Sequence, residues 1–75
     1  MGQAEDLRAR FPRGCRIALD LAALAAAGIH YATPVYGTVR GYSRPGDLLW
    51  VQLDGRKSRL CFSPHFVRRL TPEEA

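Results

Sequence analysis

The chain has 75 residues, 47% hydrophobic and 24% charged, which excludes a disordered tail and leaves room for one small core. Eleven basic residues, ten of them arginine, stand against seven acidic ones, for a net charge of +4. That balance permits attraction to nucleic acid or another anionic surface, yet a GC-rich coding sequence produces the same composition.

In chain order, residues 4–11 read as a short helix with Leu7 and Phe11 on one face. Pro12 ends it, because the residue before proline avoids helical backbone. Gly14 opens a strand over 15–20, with Cys15, Ile17 and Leu19 on one face and Arg16 and Ala18 on the other. Asp20 suits the N-cap of an alanine-rich helix closed by Gly28, which must dock through Leu21 and Leu24. A connector ending at Pro34 leads to a meander of strands over 35–43, 48–53, 59–62 and 67–70. Ser63 and Pro64 begin a single helical turn before the last strand. The expected layout is one domain over 1–75, with its core over 11–70, a helical lead-in over 1–10 and a frayed tail over 71–75.

The turns set which side chains share a face. Asp54-Gly55 predicts a two-residue type I′ hairpin that pairs Trp50 with Arg59 and Leu49 with Leu60. Leu49, Val51, Leu53, Leu60 and Phe62 then face the core, and Trp50 and Arg59 face away. Around Pro45-Gly46, a two-residue loop would set Arg40 opposite Val51 and drive it inward, an arrangement that costs several kcal/mol. An odd-length loop avoids this and pairs Tyr42 with Trp50 and Arg40 with Gln52. The expectation is an outward aromatic row, Tyr42, Trp50 and Arg59, beside a basic row, Arg40, Gln52 and Lys57.

The pieces "FPRGCRIALD", "YGTVRGYSRPGD", "LLWVQLDGRKS" and "SPHFVRRL" resemble the small SH3-like barrels. Within that class the chain is similar to short bacterial and phage or prophage proteins, and more distantly to KOW-type modules. The resemblance implies a mainly β fold: a five-stranded SH3-like barrel with a short helix after the first strand and a helical turn before the last. It departs from the class at "LAALAAAGIHYA", which replaces the first long loop. Gly37 and Gly41 then read as bending points of tight strands rather than ligand contacts.

By analogy, such a fold implies a small non-catalytic binding module, phage- or prophage-related. Three readings of its outward face stand side by side. Leu7 and Phe11 could fold over Trp50 and make it part of the core. Tyr42, Trp50 and Leu48 could form a protein-interaction or self-association surface. Arg40, Arg44, Arg56, Lys57, Arg59, Arg68 and Arg69 could instead bind nucleic acid in the manner of a KOW-like face. The two cysteines make no disulfide framework, no signal peptide opens the chain, and the apolar run 17–29 is too short to span a bilayer. The expected setting is cytoplasmic, without membrane contact. Cys15, Cys61, His30 and His65 lack metal-ligand spacing, and no nucleophile, carboxylate pair or phosphate loop is evident. No enzyme activity, small-molecule substrate, cofactor or metal is expected.

Overall fold

The computed structural model describes residues 3–44 and 47–74, with side chains from Leu7 onward, so the Pro45-Gly46 turn lies outside the described residues. The elements are α1 (Gln3–Arg10), β1 (Arg16–Leu19), α2 (Leu21–Ala26), β2 (Tyr36–Tyr42), β3 (Leu49–Leu53), β4 (Arg59–Phe62), a 3₁₀ turn (Pro64–Phe66) and β5 (Val67–Arg69). The strands form one antiparallel sheet in the order β4-β3-β2-β1-β5.

The helix α2 is bounded as its sequence dictates. The Asp20 carboxylate accepts from the Ala23 N–H at 3.1 Å. At the other end Gly28 has φ +86°, donating to Ala25, while Ile29 donates to Leu24. These two bonds satisfy carbonyls that a helix end otherwise leaves bare. Leu24 is buried and Leu21 packs beside the core. The Asp20 N–H donates to the Phe66 carbonyl and ties the helix start to the 3₁₀ turn, which Ser63 caps.

The core gathers Leu7 and Phe11 with Ile17, Leu19, Leu24, Val39, Leu49, Val51, Leu53 and Val67. Ala18, expected on the outer face, is also buried. In the register it lies between Tyr36 and Arg68, and a methyl group between two long side chains is shielded without joining the core.

Both hairpins differ from the expected register. In the second, Leu49 pairs with Phe62, Trp50 with Cys61, Val51 with Leu60 and Gln52 with Arg59, two residues away from the predicted pairing. Positive φ occurs only at glycines among the described residues, so Asp54 cannot supply the first position of a type I′ turn. The Arg56 N–H donates to Leu53, with Gly55 at φ +78°, the sign pattern of a type II turn. Asp54 is held back because its N–H extends the β2 ladder to Tyr36 at 2.9 Å and its carboxylate is clamped by Arg16.

In the first hairpin, Thr38 rather than Arg40 pairs with Gln52, and Val39 pairs with Val51. Gly41 then pairs with Trp50 and Tyr42 with Leu49, so Arg40 is the surplus residue of a β-bulge. Near the loop the chain keeps the even register that threatened to bury Arg40. The bulge removes the conflict, and Arg40 is exposed while Val39 and Gly41 are buried.

Thr71 to Glu74, expected to fray, close into a turn. Glu74 accepts from Thr71 and receives a two-pronged contact from Arg68, at 3.0 and 3.3 Å. Those bonds hold the Glu74 carboxyl down from an ordinary 4.5 to about 2, with Arg68 the main cause. A depressed carboxylate stabilises the turn at pH values above its ordinary range, and that contribution is lost as pH falls through about 2. Carboxyl NMR should therefore place the Glu74 midpoint near 2, and Arg68→Gln should return it toward the ordinary range.

Candidate functional site

Trp50 points away from the interior and is 39% exposed. Leu7 and Phe11 lie in the core with Val39 and Leu49, so the N-terminal segment does not fold over the tryptophan. The predicted cross-strand row Tyr42, Trp50, Arg59 is not formed as a row: the partners of Trp50 are Gly41 and Cys61. Nor does the basic row form, since Thr38, Gln52 and Arg59 follow one another where Arg40, Gln52 and Lys57 were expected.

Tyr42, Trp50, Arg59 and Arg40 nevertheless meet, without Gln52 and Lys57. Arg13, Arg40, Gly41, Tyr42, Trp50 and Arg59 line one open cleft of ≈ 430 Å³. Arg59 reaches it diagonally: it pairs with Gln52, two residues along the same face from Trp50, a separation that long side chains span. Arg40 reaches it because the bulge turns its side chain outward beside Trp50. Arg13 was not singled out from the sequence. It sits in the turn between α1 and β1, where Gly14 takes φ +92° and donates to the Val39 carbonyl at 2.8 Å. That bond brings the turn against β2. A cation between Pro12 and Gly14 was the available signal, because proline and glycine fix such a turn.

Tyr42 forms a fixed wall. Its hydroxyl donates to the Phe11 carbonyl at 2.7 Å, and the Arg8 guanidinium carbon lies 5.3 Å from its ring centroid. Gly41 leaves space within the cleft, since a Cβ there would have no heavy atom within 4 Å. Among the described residues no carboxylate lines the cleft, and none forms an ion pair with Arg13, Arg40 or Arg59. Of the cations on this outward face, Arg16 is neutralised. Its guanidinium grips both oxygens of Asp54 at 2.6 and 2.7 Å and donates to Thr38 on the way. Those bonds hold the Asp54 carboxyl below its usual range.

The other candidates divide. Arg56 lines a smaller adjoining cleft with Thr38, Arg40, Gln52 and Asp54. Lys57 is exposed in the β3–β4 turn and Arg44 in the β2–β3 loop. Leu48 is half-buried, and its N–H donates to the Ser43 hydroxyl in closing that loop. Arg68 is engaged by Glu74. Arg69 lines a third cleft with Cys15, Arg16 and Leu70, where burial pushes the Cys15 thiol up. Among the described residues no three His, Cys, Asp or Glu side chains converge as a metal site, and no helix is long and apolar enough to cross a membrane.

No family model matches the chain, nor does any curated protein or solved structure. The cleft's own chemistry therefore carries the functional reading.

Proposed function

We propose that the chain is a small SH3-like barrel acting as a non-catalytic binding module, with nucleic acid held in the cleft around Trp50. The strand order β4-β3-β2-β1-β5, with a 3₁₀ turn leading into β5, supports the barrel reading. One observation carries the function: an exposed tryptophan stands among Arg13, Arg40 and Arg59 in a cleft that, among the described residues, no carboxylate lines. Cations neutralise phosphates while aromatic rings accept bases, and this combination is the basis of sequence-tolerant nucleic-acid binding.

A broad exposed apolar patch is one signature of a protein-assembly surface. Among the described residues, the exposed large apolar side chains besides Trp50 are Ile29 in the connector, Tyr36 at the start of β2 and Leu60 on β4, none of them lining this cleft. The geometry favours the charged partner. The proposal includes a phage- or prophage-related setting, from the resemblance of the "GTVRG" and "DGRKS" segments, and a cytoplasmic one, from two cysteines that make no disulfide framework.

The test is nucleic-acid titration at several salt concentrations. Joint Arg13→Gln, Arg40→Gln and Arg59→Gln substitution should weaken binding at least tenfold. It should also reduce the dependence of log affinity on log salt by about 2 to 3, since each phosphate contact contributes about 0.7 to 0.9. The pair Arg56→Gln and Lys57→Gln should change it less. A larger loss from that turn pair than from the cleft triple would remove the cleft from consideration.

A further inference from the structure

The next step rests on the nucleic-acid reading and narrows it. We infer that the cleft takes an unpaired nucleotide, its base stacked on Trp50 and its flanking phosphates on Arg13, Arg40 and Arg59, so that the partner is single-stranded.

Three features lead there. First, a base inside a duplex has both faces covered by its neighbours, so away from duplex ends only an unpaired or flipped-out base can lie on the Trp50 ring. Second, duplex readers insert a protruding helix or ribbon into a groove about 12 Å wide. Here Trp50 lies in an open, shallow depression of ≈ 430 Å³ rather than on a protruding element. Third, the recess is kept open by Gly41 and walled by a Tyr42 already tied to Phe11, so little ordering is needed when a base enters. Arg13, Arg40 and Arg59 are exposed on the lining of that opening, within reach of the phosphates of a strand passing over a stacked base.

Trp50 is the only tryptophan in the chain, so its emission reports on this cleft alone. The full chain would be titrated with a short oligothymidylate, a mixed-sequence duplex of equal length and inorganic polyphosphate. The single strand should quench Trp50 emission and bind at least tenfold more tightly than the other two. Trp50→Ala should weaken single-strand binding roughly tenfold or more, the loss expected for one stacked base, while Trp50→Phe retains most of it. Gly41→Val, whose Cβ enters open space, should obstruct the cleft and weaken binding in a folded protein. Equal or tighter binding of the duplex, or saturation by the single strand without quenching, would overturn the single-strand inference and leave nucleic-acid binding standing. Failure of all three probes to bind at low salt would overturn both.

Discussion

Phe11→Ala should destabilise the protein by about 3–5 kcal/mol, the range for removing a buried aromatic ring. A domain of this length has roughly 4–11 kcal/mol in all, so much of the population would unfold at moderate temperature. Phe11 is only 3% exposed, and its ring packs with the strands although its residue lies just beyond α1. The substitution also loosens the support of Tyr42, whose hydroxyl bond is to the Phe11 backbone. Urea denaturation measures the loss. A change below about 1 kcal/mol would show that α1 is a dispensable cover, since such values belong to surface positions.

Gly37→Ala should cost about 1–3 kcal/mol or more, as overpacking does where neighbours cannot yield. A Cβ at Gly37 would stand 2.8 Å from the Gln52 carbonyl oxygen, 2.9 Å from Val51 Cγ1 and 3.2 Å from Leu53 Cα. Two of those atoms are backbone, and β3 can retreat only by stretching its ladder to β2. Gly41→Ala is the internal control: with nothing near its Cβ, it should shift stability by no more than about 0.5 kcal/mol. Equal destabilisation by the two substitutions would mean that strand bending, not the close approach of β3, selects glycine at 37.

The sequence made faces legible better than partners. In the Asp54-Gly55 hairpin the pairing moved by two residues, and side chains alternate with a period of two, so Leu49, Val51, Leu53, Leu60 and Phe62 kept a common face. Leu60 remains 38% exposed because β4 is an edge strand. In the first hairpin the conflict at Arg40 was visible, but a bulge resolves it as well as an odd loop does, and no local residue distinguishes the two. The Asp20 cap, the Gly28 stop and the Ser63-Pro64 turn were readable because each is decided within a few residues. Arg16 and Asp54 lie 38 positions apart, and their clamp follows only from the completed sheet. Arg13 entered the cleft for the same reason: its place depends on where the turn meets β2. Tyr42, Trp50, Arg40 and Arg59 were gathered by an incorrect register and meet through a different one, because long side chains tolerate a diagonal.

The surplus residue at Arg40 works as a slip joint. On one side of it β2 stays in phase with β1 and with the inner half of β3; on the other, the strand follows whatever spacing the Ser43–Leu48 connection imposes. Chains that lengthen or shorten that connection by a single residue can absorb the change by gaining or losing the kink, without inverting the inner half of the sheet.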